Sequence, residues 1–430
     1  MEVAGQPAEP VDEPRRVQQR EPYEQQRDAA NDEESCQHEI TVAFSETLMQ
    51  PLTSKLPGVG TTIFTIMSHL AQEFGAINLS QGFPDFQPPA QLLDLVTEHM
   101  RRGHNQYPPM AGVEVLREQI AAKVAALYGA VADPETDITV TSGATEALFC
   151  AIHSIVRAGD EVIVFDPAYD SYEPAVTLAG AKTIHIPLRS PSFDIDWDRL
   201  TSALNERTRL VIINTPHNPT GSVLLREDLD RLASALGTYD CYVLSDEVYE
   251  HIVFDDLGHT SVLAHPELAE RSFAVFSFGK TYHATGWKVG YCVAPGPLTA
   301  EFRRVHQFNT FTTVTPLQFA LADYLQRCPE HHLGLADFYQ QKRDYFLEAM
   351  QDTRFAMKPS RGTYFQLADY SEISDLPDEE FARWLTEAHK VAVIPVSAFY
   401  DEPPDGRIVR FCFAKELETL DEAAQRLRAL

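Results

Sequence analysis

The chain has 430 residues, of which 35 are Lys or Arg and 63 are Asp or Glu, so its formal net charge is −28. A protein this acidic has no general attraction for nucleic-acid phosphates or anionic membranes, and no run of Lys and Arg supplies a local basic patch. With 44% hydrophobic residues the chain can bury a large core, which excludes global disorder. We therefore expect a folded protein that binds neither nucleic acid nor membrane.

The N-terminal region differs in composition from the rest. Residues 1–40 are rich in Glu, Gln, Pro and Ala and contain few large apolar side chains. Such a segment cannot offset the entropy cost of ordering, so a disordered acidic tail is predicted over residues 1–50. Its acidic start does not resemble a signal peptide, and the six scattered cysteines form no Cys-x-x-Cys pair. Reduced thiols, no metal site and a cytoplasmic location are therefore expected.

Beyond the tail, short β-branched runs alternate with longer amphipathic segments, the pattern typical of a parallel sheet covered by helices. In chain order, strands are predicted at 137–141, 161–165, 182–186, 210–214, 242–245 and 274–278, with helices at 144–156, 171–179 and 225–236. The pattern then becomes helical at 299–308 and 317–326, and ends with strands near 362–367 and 408–413 around a helix at 378–388. The predicted fold is α/β, with a large domain whose mostly parallel seven-stranded sheet lies between helices, and a smaller α+β domain.

The predicted domains are discontinuous along the chain. Residues 51–84 are expected to form an N-terminal arm and part of the small domain, 85–297 the large domain, and 298–430 a linking helix and the rest of the small domain. Such an arrangement leaves a cleft between the domains, where ligands usually bind.

Polar groups follow four of the predicted strands, at the edge where open α/β sheets bind ligands. They are Ser142–Thr145, Asn214–Gly221, Ser245–Tyr249 and Ser277–Lys280. A glycine turn that opens a helix suits a phosphate, a buried carboxylate at Asp246 needs a cation, and a desolvated Lys280 can act as nucleophile or base. Each feature alone also has a structural interpretation, as a tight turn, a helix cap or a solvated lysine.

Taken together and in order, the motifs resemble a known family. Asn-Pro-Thr-Gly at 218–221, Ser-Asp-Glu-Val-Tyr at 245–249, Ser-Phe-Gly-Lys-Thr-Tyr at 277–282 and Gly-Trp-Lys-Val-Gly at 286–290 resemble the class I/II aminotransferases, pyridoxal-phosphate enzymes of fold type I. The resemblance extends over residues 56–430. The stretches 78–86, 107–109 and 408–413 are similar to the kynurenine/glutamine transaminase branch, and 215–219, 245–251 and 277–283 to bacterial methionine aminotransferases.

The resemblance implies pyridoxal 5′-phosphate as cofactor and gives a role to each matched residue. Lys280 matches the Schiff-base lysine, Asp246 the partner of the pyridine nitrogen, Asn218 and Tyr249 the donors to the phenolate oxygen, and Tyr169 the ring that stacks on the cofactor. The phosphate is expected on Gly143, Ala144, Thr145, Ser277 and Lys288, with Asn214 supporting the cofactor. Several relatives have arginine where this chain has Lys288, but the kynurenine/glutamine branch also has lysine there. Tyr107 matches a tyrosine that reaches the phosphate of a neighbouring subunit, which implies a homodimer with a shared active site.

The same resemblance assigns the substrate contacts. Arg410 matches the arginine that binds the substrate α-carboxylate, and Gly82 a loop that closes over the substrate, while Asn218 is expected to touch the carboxylate as well. Phe64, with Phe83, Tyr169 and Phe399, is expected to line the side-chain pocket. No second arginine is matched for a dicarboxylate substrate.

The predicted function is transfer of the α-amino group of methionine, or of another large neutral or aromatic amino acid, to a 2-oxo acid. A kynurenine/glutamine transaminase and a carbon–sulfur β-lyase of the same fold remain alternatives, since the same carbanion can expel a group from Cβ. A non-enzymatic module of a transcription regulator is disfavoured, because the preceding segment is acidic and Gln-rich rather than a basic helix-turn-helix domain.

Overall fold

The computed structural model describes residues 52–430, so the predicted tail and Cys36 lie outside the described residues. Its strands, labelled in chain order, are β1 Ile77–Asn78, β2 Ile138–Thr141, β3 Glu161–Asp166, β4 Lys182–Pro187, β5 Thr208–Asn214, β6 Tyr242–Asp246, β7 Ser272–Ser277, β8 Gly290–Val293, β9 Phe365–Asp369, β10 Val391–Ala392, β11 Ile394–Pro395 and β12 Ile408–Cys412. The helices are α1 Ile63–Glu73, α2 Ala90–Arg101, α3 Glu114–Tyr128, α4 Ala144–Ile155, α5 Tyr172–Leu178, α6 Trp197–Ala203, α7 Arg226–Leu236, α8 Pro266–Ala269, α9 Phe278–Thr281, α10 Gly296–Asn309, α11 Thr315–Arg327, α12 Pro329–Leu333, α13 Leu335–Ala349, α14 Asp378–His389 and α15 Leu417–Leu427.

Seven strands form the main sheet, in the order β2-β8-β7-β6-β5-β3-β4. Only β8 runs antiparallel to its neighbours, and the remaining pairs are parallel. The prediction of a mostly parallel seven-stranded sheet is therefore confirmed, although β8 itself was not among the predicted strands. No helix within residues 52–430 combines the length and apolar character needed to cross a membrane.

Alternate residues along a strand of this sheet belong to two separate hydrophobic cores. Val162 and Val164 of β3 pack with α4 on one face of the sheet, whereas Ile163 and Phe165 pack with α3 and α7 on the other. This alternation follows from the two-residue period of a strand. Both faces are apolar because helices cover both, as expected of a parallel sheet.

A third core is formed by the two ends of the described chain. The antiparallel sheet β11-β12-β9 and the parallel pair β1-β10 pack against α1, α13, α14 and α15. Met67 and Leu79 belong to this core together with residues that follow Leu335. The exact domain boundaries remain a prediction.

Candidate active site

A cavity of about 300 Å³ opens at the carboxyl ends of the central strands. Phe83 and most of the other predicted site residues line it, whereas Tyr107 and Phe399 do not. The other predicted residues in the lining are Phe64, Gly82, Gly143, Ala144, Thr145, Tyr169, Asn214, Asn218, Asp246, Tyr249, Ser277, Lys280, Lys288 and Arg410. Residues far apart in the chain thus meet in one place, because parallel strands present their carboxyl ends along a single edge.

Tyr107 lies outside this cavity. Its side chain is 84% exposed and contacts the edge of Phe311, with ring centroids 5.5 Å apart. The contact of Tyr107 with a second subunit therefore stays a prediction. Phe399 does not line the cavity either, since it is buried behind Phe64 and lies 5.4 Å from the Arg410 guanidinium.

The turn before α4 forms a cradle for an anion. Gly143 has φ +80° and occupies the N-cap position of α4, where it makes no side-chain hydrogen bond. The N–H groups of the first helical turn can therefore donate to a ligand. A Cβ at Gly143 would lie 3.1 Å from Cε of Lys288, and Lys288 Nζ lies 3.4 Å from Thr145 Oγ1. Free helix amides beside an ammonium group suit a phosphate.

A buried polar cluster supports this turn from below. Glu146, in the first turn of α4, accepts from Ser142 N–H at 3.0 Å and from the Cys150 thiol at 2.9 Å. His306 Nδ1 lies 2.7 Å from the same carboxylate, and its Nε2 lies 3.0 Å from the Met110 carbonyl oxygen. Through these two contacts His306 ties α10 to the turn that precedes α4.

Asp246, at the end of β6, is a nearly buried carboxylate that faces the cavity. It accepts from Tyr172 Oη at 2.7 Å, and burial raises the pKa of Asp246 to about 6 despite this hydrogen bond and the nearby Lys280. Its backbone carbonyl accepts from Asn214 Nδ2 at 2.8 Å. A carboxylate placed in this way is stabilised by a cation that enters the cavity.

Lys280 reaches the same cavity from α9, a short helix that directly follows β7. Burial lowers the pKa of Lys280 to about 8, and the positive charges of Arg410 and Lys288 act in the same direction. Its Nζ donates to the Gly82 carbonyl oxygen at 3.1 Å and to Tyr364 Oη at 2.9 Å. The neutral, nucleophilic amine is therefore far more populated near neutral pH than it is in a solvated lysine.

Arg410, on β12, is fully buried. Its Nη1 donates to Asn218 Oδ1 at 2.7 Å and its Nη2 to the Ser80 carbonyl oxygen at 2.8 Å, while Nε has no partner in the described part of the chain. The guanidinium lies over the Phe365 ring at 3.9 Å. Burial lowers the pKa of Arg410 to about 10. Among residues 52–430 no carboxylate lies within 4.0 Å of it, so a buried cation faces the cavity without an anionic partner.

Two residues of this site were missed in the sequence. Tyr364 Oη donates to Gly82 O at 2.6 Å and accepts from Lys280. Phe365 lies so close to the loop of Gly82 that a Cβ there would be 2.7 Å from its ring. The only sequence signal was their position in a predicted strand, and strand periodicity does not show which distant loop a side chain touches.

Comparison with known proteins agrees with this geometry. The family model described as aminotransferase class I and II matches residues 75–427. The chain belongs to this family. Methionine aminotransferase of Escherichia coli is 56% identical over 88% of this chain and 98% of its own length. Rat kynurenine–oxoglutarate transaminase 1 is 32% identical over 87% of this chain and 96% of its own length.

Solved structures of family members show the same fold. An Escherichia coli structure described as having a methionine aminotransferase function aligns with a TM-score of 0.87 at 55% identity, covering 89% of this chain and 100% of that one. An N-succinyldiaminopimelate aminotransferase from Mycobacterium tuberculosis aligns with a TM-score of 0.85 at 40% identity, over 88% and 99% of the two chains. The predictions of the fold class and of an aminotransferase are confirmed.

Proposed function

We propose that this aminotransferase uses pyridoxal 5′-phosphate to move the α-amino group of methionine, or of a similar large neutral or aromatic amino acid, to a 2-oxo acid. The main support is the buried Arg410 guanidinium, which has no anionic partner among residues 52–430 and lines the same cavity as the Lys280 amine. An α-amino acid carries its carboxylate and its amino group on the same carbon atom, Cα. Such a substrate would pair with Arg410 and at the same time present its amino group toward Lys280.

The residues of the cavity fit the proposed cofactor. The cradle at Gly143–Thr145 with Lys288 suits its phosphate, and Asp246 suits its protonated pyridine nitrogen, since the carboxylate has no ion-pair partner of its own within the described residues. When bound, the cofactor supplies an aldehyde that takes up the amino group and a ring that withdraws electrons from Cα. Tyr169 would stack on the ring, with Tyr249 and Asn218 donating to its phenolate oxygen.

Lys280 would hold the cofactor between turnovers and move a proton at the substrate Cα during them. A base performs this task well when its pKa lies near the working pH, and burial brings the pKa of Lys280 to about 8. Gly82 O and Tyr364 Oη restrict the direction of the amine.

Arg410 would bind the substrate carboxylate by a charge-assisted contact. Asn218 Oδ1 holds Nη1, and Asn218 N–H donates to Asn214 Oδ1 at 2.8 Å. Because the Asn214 amide also donates to the Asp246 carbonyl, one chain of hydrogen bonds runs from the carboxylate site to the pyridine site. Substrate and cofactor would therefore be held in a fixed mutual orientation.

The side-chain preference follows from the walls of the cavity. Phe64, Phe83, Leu148 and Val248 contribute apolar surface, and the basic side chains of the described lining are Lys280, Lys288 and Arg410. With these three assigned to the cofactor and the α-carboxylate, a second substrate carboxylate has no cation. A large uncharged side chain such as that of methionine suits the cavity better. The 56% identity to an enzyme named for methionine supports the same preference.

An amino-donor panel tests the proposal. Methionine, kynurenine, glutamine, phenylalanine and aspartate would be offered with several 2-oxo acids, and we expect the highest kcat/KM with methionine and the lowest with aspartate. Preference for aspartate would refute the assigned pocket. Release of pyruvate and ammonia from an S-conjugate without an added acceptor, faster than any transamination, would favour the β-lyase alternative.

Two variants test the role of Lys280. Lys280→Ala should lose the pH-dependent visible absorption that the bound cofactor shows when it is bonded to a lysine. Lys280→Arg retains the positive charge but should lose the same absorption, because a guanidinium does not form that bond. An unchanged spectrum in either folded variant would refute the assignment.

The proposed active unit is a homodimer. Phe311, which contacts Tyr107, is 40% exposed, and the nearby chain also exposes Phe308 (86%) and Val314 (53%), apolar side chains that a second copy would cover. Coexpression tests whether the site is shared. A hybrid of Lys280→Ala and Tyr107→Ala chains should recover activity, since one of its two sites would have both residues intact. If each chain forms its site alone, the hybrid should be no more active than the Tyr107→Ala enzyme.

The proposed location is the cytoplasm. The five described cysteines are all free and buried, which suits a reducing compartment.

A further inference from the structure

We propose that Lys415 and Asp85 are positioning residues that hold Phe83 against the substrate side chain and so set the preference for large apolar amino acids. The proposal rests on the proposed function, because it concerns the same cavity. Gly82 and Phe83 line that cavity and belong to a short stretch, residues 82–86, called the wall segment below. Lys415 and Asp85 do not line the cavity, so they act on the substrate only through the wall segment.

The wall segment lacks the contacts that usually fix a loop. Among residues 52–430 it takes part in no backbone–backbone hydrogen bond. Two of its carbonyl groups are held by side chains instead. Gly82 O accepts from Lys280 Nζ and Tyr364 Oη, and Phe83 O accepts from Lys415 Nζ at 2.8 Å. Because the proposed chemistry occupies the Lys280 amine, that contact is not permanent. Lys415 is the residue that bonds to Phe83 itself.

Lys415 is notable because its ammonium group is buried without a carboxylate. The residue is 3% exposed, and no carboxylate lies within 4.0 Å of Nζ in the described part of the chain. Nζ donates to the Phe83 carbonyl oxygen and lies 4.9 Å from the centroid of the Phe83 ring. Burial of a cation is costly unless polar contacts compensate for it, and both of these contacts go to Phe83. The ammonium group therefore fixes the backbone and the ring of one cavity residue.

Asp85 anchors the other end of the wall segment to the same region. Its carboxylate accepts from Glu416 N–H at 2.7 Å and from Thr419 Oγ1 at 2.9 Å. Glu416 is the N-cap residue of α15 and directly follows Lys415 in the chain. The same connection begins at β12, which carries Arg410. One continuous stretch of chain therefore positions both the arginine proposed for the substrate carboxylate and the wall proposed for its side chain.

This arrangement predicts which substrates depend on the two anchors. A long apolar side chain such as that of methionine gains contact area on Phe83, whereas the single methyl group of alanine gains little. Release of Phe83 should therefore weaken the binding of methionine-like ligands more than that of alanine-like ligands. A residue that only supported the fold would affect both classes equally.

Competition calorimetry on the holoenzyme tests the proposal with two unreactive analogues. 4-(Methylthio)butanoate and propanoate correspond to methionine and alanine without the amino group, and the wild type should prefer the first. Lys415→Met removes the cation and keeps the length of the side chain. It should reduce this preference about ten-fold, the factor for lost contact with roughly two methylene groups. Phe83→Ala should reduce it similarly, and adding Lys415→Met to Phe83→Ala should change it no further.

Three more variants complete the design. Lys123→Met is the matched control, because Lys123 is also a buried lysine but pairs with Glu250, so it should leave the preference unchanged. Lys415→Arg retains a donor and a cation and should keep most of the preference. Asp85→Ala alters an exposed residue and should lower the preference as well, which tests the wall segment even if Lys415→Met does not fold.

An unchanged preference in folded Lys415→Met or in Asp85→Ala, or an equal loss of affinity for both analogues, would overturn the proposal. A wild type without preference for 4-(methylthio)butanoate would overturn it too. Failure of the proposed function has a different readout, namely faster transamination of aspartate than of methionine. Because the analogues do not react, their binding decides the role of the two anchors whatever the transamination assay shows.

Discussion

Replacement of Tyr364 by Phe removes one hydroxyl from the candidate active site and leaves its volume almost unchanged. That hydroxyl accepts from Lys280 Nζ at 2.9 Å and donates to the Gly82 carbonyl at 2.6 Å. Burial raises the pKa of Tyr364 well above its usual range, so the hydroxyl stays protonated at all pH values of interest. It therefore stabilises the ammonium form of Lys280 as an acceptor without contributing a negative charge.

The size of the effect follows from the lost hydrogen bond. A bond to a charged group is worth about 1.5–3 kcal/mol, and water in the cavity will replace part of it, so the lower end applies. One pKa unit corresponds to about 1.4 kcal/mol. Burial already lowers the pKa of Lys280 to about 8. Tyr364→Phe should lower it by about one further unit, because the charged form loses an acceptor that the neutral amine needs less.

The pH dependence of cofactor capture measures this shift. Only the neutral amine attacks an aldehyde, so the rate at which apoenzyme takes up pyridoxal phosphate should be half-maximal at the pKa of Lys280. The midpoint should fall in Tyr364→Phe. Tyr339→Phe is the matched control, since the Tyr339 hydroxyl contacts His283 at 3.1 Å and its ring lies beside that of Tyr364. An unchanged midpoint in Tyr364→Phe, or an equal shift in the control, would refute the reasoning.

Three further substitutions probe the fold and the substrate site. Arg410→Lys should raise KM for methionine about 100-fold, as expected for a loss of ~2–3 kcal/mol of fork geometry, with a smaller change in kcat in steady-state assays. Lys123→Met leaves the buried Glu250 without its cation. Urea denaturation should show that the free energy of unfolding falls by about 3–5 kcal/mol. The double variant Lys123→Met/Glu250→Leu should recover part of this loss, and equal stability of the two variants would contradict the reasoning. Gly221→Ala places a Cβ on a backbone at φ +70°, only 2.6 Å from Ser360 Cβ. The free energy of unfolding should fall by more than about 2 kcal/mol. Wild-type stability would show that the loop relaxes.

Much of the candidate site could be predicted because its residues follow strands. Asn214, Asp246 and Ser277 each end an apolar run, and parallel strands align such ends without any knowledge of the loops. The order of the motifs then identified the family. The bounds of β3 and α4 were predicted to within a residue, since a continuous apolar run and a glycine turn mark them clearly.

The rest depends on contacts that local patterns do not encode. β8 was not predicted, and its antiparallel position between β2 and β7 depends on pairing with distant segments. Tyr364 reaches Gly82 across a separation of 282 residues. Cys150 is an isolated cysteine in the sequence, and no motif around it predicted a role. Its thiol nevertheless donates to Glu146 beneath the cradle.

Lys288 shows where the fold and its ligand make opposing demands. Its backbone lies at φ +52°, a left-handed conformation that costs a side-chain-bearing residue about 1–2 kcal/mol and that glycine adopts freely. In this conformation its ammonium group lies beside Gly143 and Thr145. Selection for thermal stability alone would favour glycine here and remove the cation of the anion cradle. Engineering for heat resistance should therefore leave this position unchanged, because the local strain accompanies the cation proposed to bind the cofactor phosphate.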